Sequence, residues 1–225
     1  MLASVKAMDI IYLGHSSFKL RGRTVSLVTD PYDPKTVGFK FPSVEADIVT
    51  VSHDHKDHNQ SALVKGARKV VSGAGEYEIA GVSIIGISQY HDNEKGEKRG
   101  KNIIYIYEMD GLRVCHLGDL GHVLSDEIIG QMGSIDILMV PTGGVYTIGP
   151  KEAVEVVSQI DPYFVIPMHY NVKGLNQEGF SKLSPVEDFL SSSGLTVERM
   201  QKFIIKKDDI AEDQSAKVVL LEMKQ

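Results

Sequence analysis

Cysteine is almost missing from this chain of 225 residues. Cys115 alone cannot close an internal disulfide, and its place in the apolar stretch Leu112 to Leu117 reads as a buried strand position. A disulfide-stapled secreted fold is therefore excluded, and a reducing, cytoplasmic setting is expected. Long apolar runs are lacking too. No stretch approaches the roughly 20 apolar residues of a membrane span. The N-terminus carries only Lys6 before Met8 and has no signal-peptide core. Positive charge is scarce, with 24 Lys and Arg against 30 Asp and Glu for a formal net charge of -6. A nucleic-acid partner would normally announce itself by a basic face, so nucleic acid is not expected. Linkers, low-complexity segments and repeats at the 20–50-residue scale are absent as well.

What remains is the composition of a soluble globular domain, 42% hydrophobic and 24% charged. At about 150 residues per domain the length suits one compact unit spanning residues 1–225. Met1 to Ala7 precedes the first strand pattern and reads as an extension, either native or added. Short β-rich runs open the chain at Ile10 to Leu13, Ser17 to Leu20, Thr24 to Val28 and Asp47 to Val51. Pro31, Pro34 and Pro42 mark an irregular loop before the last of these. Ser61 to Ala67 reads as a short helix, followed by strands at Lys69 to Val71, Val82 to Ile87, Ile103 to Glu108 and Leu112 to Leu117. The second half alternates: helix at Leu124 to Gly130, strand at Ile135 to Val140, helix at Pro150 to Ile160, strand at Tyr163 to Ile166, helix at Ser184 to Ser192, and a closing strand at Lys217 to Glu222. Pro150 and Pro185 fit first-turn helix positions. Strands crowded first and alternating with helices later predict a two-sheet sandwich with helices outside, an α/β (α+β) architecture.

The chemistry concentrates in His53-Asp54-His55-Lys56-Asp57-His58, directly after the apolar strand Ile48 to Val51. In an extended segment the i, i+2 pair His53 and His55 points to one side and can converge on one cation. Asp57 and His58, displaced by the turn, suit a second cation. Imidazole and carboxylate are ligands of catalytic zinc, whereas all-cysteine sets are typical of structural zinc. A merely solvated turn would use Asn, Gly, Ser or Lys rather than three of the chain's eight histidines.

This H-x-H-x-D-H run after an apolar strand resembles the signature of the metallo-β-lactamase superfamily, and the likeness extends from Asp9 to the C-terminus. It implies a four-layer αββα sandwich and a dinuclear metal site. By that resemblance His91 completes the first metal site with His53 and His55, Asp119 of Leu117-Gly118-Asp119 bridges both metals, and His169 completes the second site with Asp57 and His58. A carboxylate suits bridging because its two oxygens can reach cations roughly 3.5–4 Å apart. The resemblance implies a hydrolase in which two divalent ions, Zn2+ with Mn2+ or Fe2+ as alternatives, activate a shared water, with Asp57 and Asp119 as the catalytic carboxylates.

Tyr12 to Phe18, Thr29-Asp30-Pro31 and Gly143 to Thr147 resemble more narrowly the branch containing ascorbate-6-phosphate lactonases. A small ester, lactone or phosphoester substrate is thereby implied, and an anionic one is compatible with the basic loop that follows His91. His15, Tyr146 and Thr147 are candidate substrate contacts, with an outer partner of the metal ligands or a plain turn residue as the alternative for His15. The loop Asp92 to Gly100 departs from the standard β-lactamases, which argues against antibiotic hydrolysis. Its basic run, Lys95, Lys98, Arg99 and Lys101, reads as a solvated loop with an anion-attracting role as the alternative. His116 and His122 read as outer partners or surface residues. The rival functions are a small phosphodiesterase or nuclease of the same fold, a flavodiiron-like redox protein, and a non-enzymatic metal or ligand sensor. A homo-oligomer is compatible with all of them.

Overall fold

The chain runs through β1 (Met8–Gly14), β2 (Ser17–Arg21), β3 (Ser26–Thr29), helix α1 (Pro34–Val37), β4 (Val44–Glu45), β5 (Ile48–Thr50), β6 (Val64–Lys65), β7 (Lys69–Val71), β8 (Gly75–Ile79), β9 (Val82–Tyr90), β10 (Lys101–Met109) and β11 (Leu112–His116). Then come α2 (Asp126–Met132), β12 (Ile137–Pro141), α3 (Pro150–Ile160), β13 (Phe164–Met168), α4 (Gln177–Phe180), α5 (Val186–Ser193), β14 (Thr196–Met200), β15 (Phe203–Ile205) and β16 (Lys217–Leu221). The computed structural model describes residues 7–211 and 213–224; all of the expected N-terminal extension except Ala7 lies outside them.

Two sheets carry the fold. A six-stranded sheet has the order β15-β1-β2-β3-β5-β7, and an eight-stranded sheet the order β14-β16-β13-β12-β11-β10-β9-β8. Period-2 alternation decides which side chains meet between them. From the first sheet Ile10, Phe18, Leu20, Leu27 and Ile48 face Ile84, Tyr107, Val114, Met139 and Ile166 of the second in one buried cluster. The intervening residues of the eight-stranded sheet, among them Ile106, Cys115, Leu138, Val140 and Val165, pack outward on Met132 of α2, Val156 and Ile160 of α3 and Phe189 of α5. Burial on both faces explains why Ile137-Leu138-Met139-Val140 reads as an unbroken apolar run, as parallel inner strands do. Over the six-stranded sheet, Val28, Val49 and Val51 pack beneath Tyr32, Val37, Phe41, Leu175 and Phe180. This layer contains the two four-residue helices α1 and α4. The αββα order is thus present, with one outer layer made mostly of loop.

Several local expectations need correction. Ser61 to Ala67 is not a helix but a single 3-10 turn at Ser61–Leu63 followed by β6, which pairs with β4. Leu63 is exposed while Val64 is buried, so this segment offers no helical apolar face to offset the cost of nucleation. The proline-marked loop holds α1, whose N-cap Asp33 accepts from Lys35 N and Thr36 N. Pro150 opens α3 as expected, but Pro185 is the N-cap of α5 rather than a residue of its first turn. Strands β8, β14 and β15 escape sequence reading because each lies at a sheet edge: β8 and β14 carry no fully buried residue, and β15, though it alternates, is only three residues long.

Strand direction positions the site. In the six-stranded sheet β1, β3 and β5 run the same way, since each of the first two is antiparallel to β2 and β3 is parallel to β5. In the other sheet β9, β11, β12 and β13 share a direction for the same reasons. Their C-terminal ends lead into His15, Asp30, His53, His91, Asp119 and His169, all gathered at one edge of the sandwich.

Candidate metal centre

The turn after β5 is held by His58 N and Asn59 N, which both donate to His55 O at 2.9 and 3.0 Å. Across the bend at residues 52–54 and this turn, His53 and His55 come close to His91, Asp57 and His58 come close to His15 and His169, and His53 also lies within reach of His58 and Asp119. His53, His55 and His91 have ligand atoms within 4.8 Å of one another, and so do His15, Asp57, His58 and His169. Asp119 lies between the two groups. Its Oδ2 is 3.2 Å from His58 Nε2, 3.2 Å from His169 Nε2, 3.4 Å from His91 Nε2 and 3.9 Å from His53 Nε2. The seven residues expected as ligands therefore stand together, all buried except His55 and the partly exposed Asp57.

The donor atoms point at one another without satisfying one another. His53 Nε2, His58 Nε2, His169 Nε2 and Asp119 Oδ1 are buried and have no hydrogen-bond partner. Buried polar atoms are ordinarily paired, so four orphaned lone-pair donors around one point fit a divalent cation. Electrostatics agree. Burial would raise the carboxyls of Asp57 and Asp119, but the surrounding histidines outweigh it and hold both well below the usual carboxylate range. Burial disfavours charge on His58, yet Asp119 and Asp57 overcome it and raise its pKa. His53 is pushed down to about 2 by burial and the nearby His58, which keeps its imidazole neutral as a metal ligand must be. Two carboxylates placed this way demand positive charge at this spot.

A supporting layer lies behind these candidate ligands, and no motif assigned its members a role. Asp30, buried at the end of β3, accepts from Ser52 N at 2.8 Å, Ser52 Oγ at 2.6 Å and His58 Nδ1 at 2.9 Å. Ser52 Oγ in turn accepts from His53 Nδ1 at 2.9 Å. One carboxylate thereby fixes the tautomers of both histidines, leaving each Nε2 free to face inward. Asn102 of β10 holds the Asp119 loop from the other side, donating to Leu117 O and accepting from Asp119 N at 2.9 Å. Thr29-Asp30-Pro31 was visible as a motif, but what Asp30 touches could not be read from it.

Local backbone is bent to bring these loops together. His15, Asp30 and His169 have φ of 55°, 39° and 53°, in the left-handed region that side chains seldom adopt. His169 N donates to His15 O at 3.0 Å, joining the two sheets at the site. Gly121 and Gly143 allow close backbone approach: a Cβ on Gly121 would lie 2.3 Å from Asp92 N, and one on Gly143 would lie 2.1 Å from His169 O.

An open cavity of about 620 Å³ reaches the cluster, lined by His55, Asp57, His91, Asp119 and His169 on the metal side and by Arg99, Tyr146 and Phe180 among others. Of the expected substrate contacts, Tyr146 is at this wall. Its hydroxyl donates to Gly179 O at 2.6 Å. Thr147 is not among the lining residues; its hydroxyl donates to Ile148 O within its own loop. His15 is buried behind the wall, its Nε2 donating to Asp57 Oδ2 at 3.2 Å, with its pKa lowered to about 4 by burial and His169. His116 is buried and ties Ser16 O to the Gly118 turn, while His122 Nδ1 donates to Val123 O; neither joins the cluster. The Cys115 thiol is fully buried and pushed up by that burial, so it supplies no nucleophile.

The family described as the beta-lactamase superfamily domain matches residues 9–169. The chain is 30% identical over 192 residues to a UPF0173 metal-dependent hydrolase of Thermococcus onnurineus, across 73% of this chain and 85% of that protein. Among solved structures it resembles a candidate Zn-dependent hydrolase of the metallo-β-lactamase superfamily from Thermotoga maritima, with a TM-score of 0.79, 40% identity, and coverage of 96% of this chain and 100% of that one. Igni18, a metallo hydrolase of Ignicoccus hospitalis, shares the fold at a TM-score of 0.68 and 20% identity over 97% of each chain. Among the described residues no helix is long and apolar enough to cross a membrane.

Proposed function

We propose, from the premise that this chain belongs to the β-lactamase superfamily and is a metal-dependent hydrolase, that it binds two divalent cations and cleaves an ester, lactone or phosphoester bond in a small molecule. His53, His55 and His91 would hold one cation, Asp57, His58 and His169 the other, and Asp119 both. The observation that carries this reading is the position of Asp119 Oδ2, within 3.2 to 3.9 Å of imidazole nitrogens drawn from both groups. Nitrogen and carboxylate oxygen at tetrahedral-size separations favour Zn2+, with Mn2+ or Fe2+ set by supply rather than by the ligands. When bound, two such cations supply a water acidic enough to act as nucleophile near neutral pH, and positive charge for the oxyanion that forms.

The protein's own groups set the rest. Asp57 faces the cavity and, with its pKa held low by His58 and His15, stays a carboxylate that accepts a hydrogen bond from the attacking water without taking its proton. His15 fixes that carboxylate through the 3.2 Å hydrogen bond. A cavity of about 620 Å³ suits a small substrate rather than a polymer, and the whole chain serves as one domain around it. The test joins metal analysis of the purified protein to a panel of lactones, carboxylate esters, phosphodiesters, thioesters and β-lactams. Two metals per chain and metal-dependent turnover of a small ester, lactone or phosphoester are expected. Full activity with a single metal would overturn the dinuclear reading.

A further inference from the structure

Arg99 stands apart from the other cations of its loop. Lys98 is exposed and paired with Glu94, and Lys95 is exposed and absent from the cavity wall. Arg99 is half-buried, lines the cavity that reaches the metal cluster, and lies over the ring of Tyr146 with its guanidinium carbon 5.3 Å from the ring centroid. Among the described residues its guanidinium has no carboxylate partner. Among the described residues the guanidinium also donates no side-chain hydrogen bond, so its paired N–H donors, matched to two oxygens of an oxyanion, are uncommitted.

Both partners of the stack are fixed before any ligand arrives. Asp92, buried beside His91, accepts from the backbone N–H groups of Glu94, Gly96, Lys98 and Arg99 at 2.8 to 3.0 Å. Gly100 O accepts from His91 N at 3.0 Å and closes the loop. Tyr146 is anchored through Gly179 and packs edge-on against Phe180, whose ring packs on His15 and His169. A continuous wall thus runs from Arg99 to the ligand cluster. Of the other charged lining groups, Asp57 and Asp119 belong to the cluster, and Glu178 is exposed and makes no ion pair with Arg99.

We infer that Arg99, stacked on Tyr146, is the recognition site for a carboxylate or phosphate carried by the substrate at a distance from the bond that is cleaved. Binding energy from such a remote group positions the reacting bond at the metal cluster. This rests on the hydrolase reading above and adds the substrate class.

The test uses zinc-loaded protein and two chromogenic esters of similar length, the neutral 4-nitrophenyl butyrate and the remote carboxylate mono-4-nitrophenyl glutarate. Arg99→Met is expected to lower kcat/KM for the glutarate ester at least tenfold, mainly through KM, and to leave the butyrate ester within twofold. Arg99→Lys should recover part of the loss, and Lys98→Met, which removes a charge from the same loop, should change neither. In parallel, calorimetry with benzyl phosphate on the metal-free protein should show binding that Arg99→Met weakens at least fivefold. A response with the phosphate but not the glutarate ester would assign the site to phosphates, and the converse to carboxylates. If neither ester is turned over, the bond type is decided by the substrate panel above, and the calorimetry alone decides on Arg99. Equal effects of Arg99→Met on both esters, or unchanged esters together with unchanged phosphate binding, would overturn the inference.

Discussion

Two aspartates of the cluster differ in what surrounds them, and so should their variants. Asp119 Oδ2 lies against four histidines drawn from both groups, whereas Asp57 Oδ2 lies 3.5 Å from His58 and 3.2 Å from His15 alone. Asp119→Asn keeps the size and removes the charge between the groups, so metal content should fall below two per chain and turnover by several powers of ten. Asp57→Asn should cost one metal and leave weak activity, because His53, His55 and His91 are untouched and a single zinc can bring its water to a pKa of about 7. Metal stoichiometry and rate, measured on both variants, check the order; an Asp119→Asn protein with two metals and near-normal turnover would remove the bridging assignment. Asp30 tests the layer behind. Replaced by Asn, it can still accept from Ser52, but it loses the charge that holds the Nδ1–H of His58. Loss of such a partner commonly weakens metal binding about 10- to 100-fold. Competitive titration against a chromophoric chelator should show that drop with the folded state intact by circular dichroism.

The elements that build the site are loops pinned at strand ends, and this decides what could be read in advance. His53 to His58 is legible because its ligands are near neighbours on one strand and turn, where spacing alone implies convergence. His91, Asp119 and His169 are single residues in separate loops; only resemblance pointed to them, since no local pattern encodes that β9, β11 and β13 end at one edge of the sandwich. Asp30, Ser52 and Asn102 were missed because Asp30 and Asn102 act through contacts across 15 to 28 residues of sequence, and Ser52 joins the layer through Asp30. Arg99 was weighed as part of a charged loop, and the stack on Tyr146 that separates it from its neighbours arises from a contact 47 positions away. The loop that carries it makes an acid-sensitive unit. Burial alone would raise the Asp92 carboxyl, but the four backbone donors prevail and lower it from 3.8 to about 2. A folded-state pKa below the unfolded one stabilises the loop above about 4 and stops doing so as pH falls towards 2. Hydrogen exchange of the amides of Glu94, Gly96, Lys98 and Arg99 should therefore lose protection across that window. Asp92→Asn should remove the dependence, and a profile unchanged by that substitution would assign the acid response elsewhere.

Across the whole molecule the cluster joins parts that the sheets themselves hold only at a distance. His53, His55, Asp57 and His58 follow a strand of the six-stranded sheet; His91, Asp119 and His169 follow strands of the eight-stranded one. The inner faces of the two sheets are sealed by apolar packing, but at this edge the contact consists of buried polar atoms, several of them unpaired. Unpaired buried donors and like charges oppose closure, so the edge is where the folded state gains most from a cation that binds it and not the unfolded chain. A ligand at a thousandfold its Kd stabilises by about 4 kcal/mol. For chains of this length each kcal/mol shifts Tm by about 2–4 °C, so stripping the metal should lower Tm by roughly 8–16 °C. Differential scanning calorimetry before and after chelation, with metal content verified in each sample, measures this directly. Re-addition of zinc should restore the original Tm, and Asp119→Asn, which removes the carboxylate common to both groups, should respond to chelation by a smaller shift than the unmodified chain. A melting curve that does not move after verified metal removal would mean that the two sheets close at this edge unaided, and that the cluster is held by the fold rather than helping to hold it.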